Sequence, residues 1–302
     1  MKKKNKNLIG ISTGDKAFYF IVNIMLVFVF IMTAYPLIYI ISASLSSPYA
    51  TIAGRVYLWP VDINLNGYKA VFANGNIVTG YLNSLFYTIV GTTINMIMTV
   101  MAAYPLSRRD FRPRNVIMLI FSFTMLFNGG IIPTYILLSK LRILHTRWAM
   151  ILPVAIAVYN LIVIRTFFQT SLSQELLDAA SIDGCSDIKF LLKIALPLSK
   201  AVLAVIGLFY AVGHWNSFFY ALLFLNKAEL YPLQLVLRDI LILNTVDVNM
   251  TNISVENLMA KEGVRELLKF SVIVVASAPM LAVYPFVQKY FVRGVMIGAI
   301  KG

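Results

Sequence analysis

The sequence predicts an all-α membrane protein with six transmembrane helices. Three observations lead to this prediction: 59% of the 302 residues are hydrophobic, only 13% are charged, and the mean hydropathy is +0.79. Soluble domains have about a quarter of their residues charged, so a water-soluble fold could not cover this much apolar surface. Helices are expected because an open sheet edge cannot face lipid. Residues 1–302 are interpreted as one transmembrane domain, with the spans within about 17–290.

Long stretches without a charged residue mark the individual spans, since a helix needs about 20 apolar residues to cross the hydrocarbon core. The first two cover about 17–41 and 78–106, and the other four fit within 114–140, 147–165, 200–227 and 269–289. The first stretch is longer than the core of a cleaved signal peptide, which is about 7–15 residues. We therefore expect it to be retained as a helix.

Basic residues predict the orientation, because they gather in cytoplasmic loops. Such residues occur near the N-terminus (2–6), after the second span (108–114), after the fourth (189–200) and near the C-terminus (289–301). Six spans place all of these segments in the cytoplasm. The basic loop 140–147 is the exception, since the span count places it outside. Either the rule tolerates it, or it contacts an acidic partner or an anionic substrate.

Several functional classes lack their sequence signatures. Cys185 is the single cysteine, and His145 and His214 are far apart, so neither a disulfide, a metal site nor a catalytic set is expected. No phosphate-binding G-x-x-x-x-G-K-S/T loop occurs, so ATP hydrolysis would need a partner. No acidic residue lies within a span, which argues against ion-coupled transport. The net charge of +13 fits cytoplasmic loops, because no basic stripe typical of nucleic-acid binding is seen.

Residues 174–200, between the fourth and fifth spans, form a charged amphipathic segment. Apolar and charged residues alternate in a pattern that favours short helices lying flat under the membrane. Asp178 is followed by Ala179 and Ala180, whose small side chains would let another protein approach the backbone. Gly184 allows a turn after the first helix, and Pro197 fits the first turn of the next.

This segment resembles the signature loop of ATP-binding-cassette importer permeases. That signature reads E-A-A, three residues, Gly, nine residues, Ile, one residue and Leu-Pro. Here it reads Asp178-Ala179-Ala180, then Gly184, then Ile194, and finally Leu196-Pro197, with every spacing kept. The one departure is Asp178 in place of Glu, which keeps the charge and shortens the side chain.

The rest of the chain resembles the maltose-permease-like carbohydrate branch of that family. The order of four short motifs along the chain supports this: Asn83-Ser84-Leu85, then 127–135, then Trp215-Asn216, and then the tail at 288–302. The 127–135 stretch resembles the subset linked to oligosaccharides and polysaccharide fragments. The resemblance implies the type I importer permease fold.

The resemblance also implies a set of partners and roles. A second homologous permease, two cytoplasmic ATPase subunits that bind ATP and magnesium, and an extracytoplasmic solute-binding protein would complete the complex. Residues 178–190 would form the coupling helix that docks on the ATPase. The implied coupling residues are Glu175, Asp178, Ala179, Ala180, Ile182, Asp183, Gly184, Ile194, Leu196 and Pro197. The cytoplasmic tail 291–302 would contact the ATPase through Gly298, Ala299, Lys301 and Gly302.

Polar side chains within the spans are candidates for a substrate pathway, because they are costly in lipid and usually face the interior. Either they hydrogen-bond neighbouring helices, or they bind sugar hydroxyls while aromatic faces stack on sugar rings. The candidates are Asn83, Thr88, Thr92, Thr93, Asn95, Asn128, Asn160, His214, Trp215, Asn216 and Tyr220. Among them, the sequence favours His214, Trp215 and Asn216.

Alternative functions remain open at this point. The signature loop alone also fits a permease of the same fold for peptides, amino acids or ions. A membrane enzyme or an ion-coupled transporter would belong to other classes, and neither has a visible catalytic set or intramembrane acid.

Overall fold

The computed structural model describes residues 13–243 and 255–299, and these residues are predominantly helical. The α-helices are α1 (Thr13–Ser44), α2 (Pro48–Ile52), α3 (Asn66–Ala73), α4 (Gly75–Ser107), α5 (Arg114–Leu126), α6 (Ile131–Lys140), α7 (Trp148–Ile151), α8 (Val158–Ser171), α9 (Gln174–Ile182), α10 (Asp187–Phe190), α11 (Leu196–Leu198), α12 (Lys200–Trp215), α13 (Phe219–Phe224), α14 (Leu233–Leu243) and α15 (Val255–Ala299). Short 3-10 turns cover Leu152–Val154 and Ala228–Leu230, and a π-helical turn covers Leu191–Ala195.

Among the described residues, three helices are long and apolar enough to cross a membrane, namely those over Gly14–Ser44, Gly75–Ser107 and Arg265–Phe286. Three bent helix pairs raise the number to six if each pair is one span. This confirms the predicted all-α membrane fold.

The bent pairs are the main departure from the predicted straight spans. The axes of α5 and α6 differ by 116° across the Asn128-Gly129-Gly130 break, where Gly130 has a φ of 86°. The segment Trp148–Val154 meets α8 at 50°, and Asp187–Leu198 meets α12 at 84°. Charge-free length therefore predicts the position of a span but not an interruption within it.

The helices form two compact units, 1–71 with 250–274 and 72–249 with 275–302. In the first unit, the Ser44 hydroxyl lies 2.8 Å from the Tyr68 hydroxyl. Tyr39 and Phe270 pack edge to face at 5.7 Å, and Gly67 lies so close to Ser271 that a side chain at position 67 would clash. The expectation of a single domain stays a prediction.

The second unit is organised around α4, which packs against α8, α12 and α14. Its buried positions recur every three or four residues, as one face of a helix requires. Many of them are small or polar, for example Gly80, Ser84, Gly91, Asn95 and Thr99. Small residues let neighbouring membrane helices approach closely, and polar ones supply hydrogen bonds between them.

The two ends of α4 have different surroundings. Asn83, near its start, lies 3.2 Å from Arg147 of the basic loop. Arg108, just after its end, pairs with Asp187 at 3.2 Å. The basic loop therefore lies at the opposite end of α4 from Arg108, as the span count predicts.

Candidate coupling segment and substrate cleft

The first helix of the segment 174–200 has well-defined ends. The Ser173 hydroxyl caps α9 by accepting a hydrogen bond from the Leu176 amide at 3.3 Å. At the other end, the Cys185 amide donates to the Ala180 carbonyl and the Gly184 amide donates to the Ser181 carbonyl. This pair of bonds is the Schellman motif. It requires a left-handed residue at position 184, where Gly184 has a φ of 70°.

The α9 helix has one exposed face and one packed face. Glu175, Asp178 and Ala179 are exposed, and Ile182 is 87% exposed, which is unusual for a large apolar side chain. Ala180 instead packs in the protein core with residues of α4 and α8. The expectation that both alanines are open to a partner is therefore wrong for Ala180.

The second part of the segment turns sharply into α12. Phe190 and Ala195 are buried, and Ile194 and Leu196 pack on the same core. Pro197 has no N–H to donate to the Lys193 carbonyl, and the π-helical turn lies directly before it. The 84° corner lies near the end of this segment, where the hydroxyl of the buried Ser199 donates to the Ala195 carbonyl at 2.7 Å.

Arg108 connects this segment to the end of α4. Its guanidinium donates two hydrogen bonds to Asp110, at 3.1 and 3.0 Å, and also pairs with Asp187 at 3.2 Å. The hydrogen bond from Arg108 lowers the pKa of the Asp110 carboxyl below its usual value. Asp187 is the first residue of α10, so the ion pair ties the second helix of the segment to a long span.

The predicted tail contact is only partly within the structure. Gly298 and Ala299 are the last residues of α15. Lys301 and Gly302 lie outside the described residues. The role of the tail stays a prediction.

A cleft of about 440 Å³ lies where two spans are interrupted. One interruption separates the 3-10 turn Leu152–Val154 from α8, and the other, at 216–218, separates α12 from α13. Asn95, near the middle of α4, lines the same cleft. Discontinuous membrane helices near mid-depth are typical of transporter substrate sites.

Side chains satisfy the backbone groups that the first interruption leaves unpaired. The Asn95 amide nitrogen donates to the Val154 carbonyl at 2.7 Å. The Ala157 amide donates to the Tyr210 hydroxyl at 3.0 Å, and that hydroxyl also lies 2.8 Å from the Thr99 hydroxyl. Such partners are needed because water is absent from the membrane interior. They hold the interrupted backbone in a defined position.

His214 is positioned by α4. Its Nε2 lies 3.2 Å from the Asn95 carbonyl oxygen. Gly91 makes room for the ring, since a Cβ on Gly91 would lie 2.5 Å from that same nitrogen. Position 91 must therefore remain glycine for His214 to lie here.

The cleft lining is aromatic and polar but uncharged. It comprises Asn95, Met150, Val154, Ala157, Asn160, Phe209, Tyr210, Gly213, His214, Asn216, Ser217, Phe218, Phe219 and Tyr220. No Lys, Arg, Asp or Glu is among these lining residues. Aromatic rings together with a few hydrogen-bonding groups suit a neutral polar ligand such as a sugar.

Of the eleven pathway candidates, the structure brings five to this cleft: Asn95, Asn160, His214, Asn216 and Tyr220. Trp215 is 2% exposed, and its indole N–H donates to the Ala276 carbonyl at 3.0 Å. It also packs edge to face on Tyr81. Trp215 is therefore a packing residue in this structure, and its placement does not support the expected stacking on a sugar.

Asn83 and Asn128 also lie away from the cleft. The Asn83 amide nitrogen donates to the Glu229 and Tyr231 carbonyls, at 2.7 and 3.1 Å. Its oxygen accepts from Arg147, whose guanidinium lies 4.5 Å from the centre of the Phe86 ring. Asn128 accepts from the Gly130 amide within the α5–α6 break. Arg147 of the basic loop thus has a structural role at this end of α4.

Sequence reasoning missed two residues that build the cleft. Tyr210 reads as one more aromatic residue of an apolar span, although its hydroxyl holds the α8 start. Gly91 reads as a neutral position, although it admits the His214 ring. Small residues in membrane helices often mark close packing, and this signal could have identified Gly91.

Comparison with known proteins places the chain among transport components. The model of the family described as "Binding-protein-dependent transport system inner membrane component" matches residues 77–297. Protein LplC of Bacillus subtilis (strain 168) is 44% identical over 272 residues, covering 90% of each chain. The polygalacturonan/rhamnogalacturonan transport system permease protein YtcP of the same organism is 39% identical over 267 residues, covering 88% of this chain and 92% of the relative.

A solved structure is also similar. It is the crystal structure of a bacterial ABC transporter involved in the import of the acidic polysaccharide alginate. One of its chains superposes with a TM-score of 0.84 at 35% identity, covering 93% of this chain and 98% of that chain.

Proposed function

Because the chain belongs to the family of binding-protein-dependent transport system inner membrane components, we propose that it is the permease subunit of an ATP-driven sugar importer. The sugars are oligosaccharides or polysaccharide fragments, delivered by an extracytoplasmic binding protein. The names of YtcP and of the alginate importer support a substrate of this class. The observation that carries the proposal is the uncharged, aromatic cleft built on two interrupted spans.

In this proposal the chain moves sugar and its partners hydrolyse ATP. A second homologous permease completes the pathway as a heterodimer, and two ATPase subunits bind ATP and magnesium in the cytoplasm. The chain itself needs no cofactor for this role. The exposed face of α9, with Glu175, Asp178, Ala179 and Ile182, is the docking surface for one ATPase subunit. An exposed Ile182 beside acidic residues supports a partner there, since such a side chain is stabilised by burial.

The fold suggests how ATPase movement would reach the cleft. The segment 174–200 is packed on α4 and α8 through Ala180, Phe190 and Ala195, so a push on α9 is transmitted to these helices rather than absorbed. The 84° corner at Ser199 passes the movement to α12, whose other end carries His214. Rocking of this kind would expose the cleft alternately to each side of the membrane. The proposal also places both termini in the cytoplasm.

The experiment that tests this function is reconstitution of the complete complex in lipid vesicles. Oligosaccharides are screened, each with its binding protein, for stimulation of ATP hydrolysis and for uptake. We expect one class of oligosaccharide to stimulate both activities. If peptides or amino acids stimulate them and no sugar does, the proposed substrate class is wrong.

A further inference from the structure

We propose that His214 is a hydrogen-bond acceptor for a substrate hydroxyl group, with its tautomer set by Asn95. The proposal deepens the sugar-import function and rests on it. It follows from the orientation of one buried amide, from the position of the imidazole ring and from the absence of charge around the cleft.

The orientation of the Asn95 amide follows from its contact with Val154. A carbonyl oxygen can only accept a hydrogen bond, so the Asn95 atom 2.7 Å from the Val154 carbonyl must be the amide nitrogen. The Asn95 carbonyl oxygen then faces the Nε2 of His214 at 3.2 Å. Asn95 is 1% exposed, so reversing this amide would leave buried polar groups unpaired.

The protonation of His214 follows in turn. Because the Asn95 oxygen can only accept, Nε2 must carry the proton of this hydrogen bond. In a neutral imidazole the other nitrogen, Nδ1, then has a free lone pair. Among the described residues Nδ1 has no hydrogen-bond partner and is not one of the fully enclosed unpaired atoms. Since His214 lines the cleft, Nδ1 is the atom available to a ligand there.

The ring cannot readily turn to offer a different atom. His214 is 5% exposed, and Gly91 lies directly against its Nε2 edge. Asn160, also buried, lines the same cleft and adds a second amide to its wall. The arrangement is therefore a preformed polar site in an aromatic, uncharged cleft.

The chemistry selects the part of the substrate that binds. A lone pair on Nδ1 attracts an O–H donor and repels a carboxylate oxygen. Within the part of the chain that the structure describes, no lysine or arginine lines the cleft to offset that repulsion. The site thus takes a hydroxyl-bearing face of a sugar ring, even when the oligosaccharide carries carboxylates elsewhere.

The tautomer is tested by nuclear magnetic resonance of the complex labelled with ¹⁵N-histidine in nanodiscs. This chain contains two histidines, so the signals removed by His214→Asn and by His145→Asn identify both rings. We expect the His214 ring to give one protonated and one unprotonated nitrogen, and the unprotonated Nδ1 signal to shift when a neutral galacto-oligosaccharide is added. A proton on Nδ1 in the free complex, or a doubly protonated ring, overturns the proposal.

Two matched variants test the acceptor itself. The amide of Gln reaches the Nε2 position, so His214→Gln keeps the Asn95 contact but lacks the acceptor at Nδ1. The amide of Asn reaches the Nδ1 position, so His214→Asn keeps an acceptor there. Binding is measured by calorimetry on the nanodisc complex without its binding protein, whose own affinity would otherwise hide the effect. The probes are a neutral galactotriose and the matching trigalacturonate.

We expect His214→Gln to weaken binding of the trisaccharide that the wild type prefers roughly five- to tenfold, as for the loss of one neutral hydrogen bond. His214→Asn should weaken it by less than about twofold, because the acceptor is retained. Equal losses in both variants, or a larger loss in His214→Asn, overturn the acceptor role. If the wild-type complex binds neither sugar but transports another kind of solute, the proposed function fails instead, and the resonance experiment still decides the tautomer.

Discussion

The two ends of α12 lie in different surroundings. At its start, the corner at Ser199 leads to a segment whose packed side anchors it while its other face, with Asp178 and Ile182, stays exposed. At its end, next to the interruption at 216–218, His214 is buried against Asn95 of α4. The first arrangement suits a protein partner, and the second suits a small polar ligand. In the proposed function, the ATPase therefore acts near one end of this helix and the sugar binds near the other.

The largest effect is expected from a substitution of Asp178, on the exposed face of α9. We expect Asp178→Lys to reduce ATP-dependent uptake in vesicles at least about thirtyfold, because reversing a charge at a docked surface costs about 2 kcal/mol or more. Asp178 is exposed in this chain, so membrane insertion and thermal stability should not change.

Asp178→Glu is the matched control, since it keeps the charge on the same helix face. Uptake close to that of the wild type is expected for this variant. If Asp178→Lys transports as well as Asp178→Glu, the exposed face of α9 is not the docking surface.

The next effect concerns the cleft, where Gly91→Ala should disturb the position of His214. The added Cβ would lie 2.5 Å from Nε2 of His214, so the ring or the helix must move. Overpacking of this kind costs about 1–3 kcal/mol, and the melting temperature of the purified complex should fall together with oligosaccharide binding.

Gly207→Ala on α12 is the control for Gly91→Ala. Its nearest atom would be the Met96 sulfur at 3.9 Å, an ordinary contact. Alanine is the better helix former by about 0.5–1 kcal/mol, so this variant should be as stable as the wild type or more stable. A lower melting temperature for Gly207→Ala than for Gly91→Ala would contradict the packing described for α4 and α12.

A smaller effect is expected at the turn of the coupling segment. Gly184 has a φ of 70°, and a Cβ there would meet no atom within 4 Å. Gly184→Ala should therefore be destabilising through backbone strain alone, by about 1–2 kcal/mol. Gly184→Asn should cost less, because asparagine tolerates the left-handed region. Urea unfolding of the complex checks the order, and equal stabilities for the Ala and Asn variants would argue against the Schellman turn.

The smallest effect concerns the link from Arg108 to Asp187. The two side chains are 3.2 Å apart, but Asp187 is largely exposed, so a double-mutant cycle with Arg108→Gln and Asp187→Asn should give a coupling of at most about 1 kcal/mol.

Acid should weaken the neighbouring Arg108–Asp110 pair. The pKa of Asp110 is lowered in the folded protein. The ionised Asp110 therefore stabilises the folded state at pH values above its ordinary pKa, and this stabilisation is lost as the pH falls through the pKa of the folded protein.

A coupling energy above about 2 kcal/mol would show that the Arg108–Asp187 ion pair is more stabilising than expected for a pair with an exposed partner. In that case the ion pair, rather than the packing of Phe190 and Ala195, would be the main connection between the segment and α4.

The coupling segment could be predicted from sequence because it is local. Its helix, turn and second helix follow from neighbouring residues such as Ser173, Gly184 and Pro197. What the sequence could not give is which alanine faces inwards, because this depends on packing against α4 and α8.

The cleft was predicted less completely because it is assembled from distant parts of the chain. Asn95 and His214 are 119 positions apart, and no local pattern joins them. Trp215 and His214 are adjacent in sequence but point into different environments, one packed beside Ala276 and one lining the cleft. The helix interruptions at 155–157 and 216–218 also lie within apolar stretches, so composition alone does not predict them.

The most direct test measures sugar uptake and ATP hydrolysis together, in vesicles containing the complete complex with its binding protein. Three complexes are compared: wild type, Asp178→Lys and His214→Gln. We predict that Asp178→Lys loses uptake at every sugar concentration, whereas His214→Gln still transports at high concentration with weaker apparent affinity. Full uptake by Asp178→Lys, or a complete loss of uptake in a stable His214→Gln complex at saturating sugar, would contradict the separation of the coupling face from the substrate cleft.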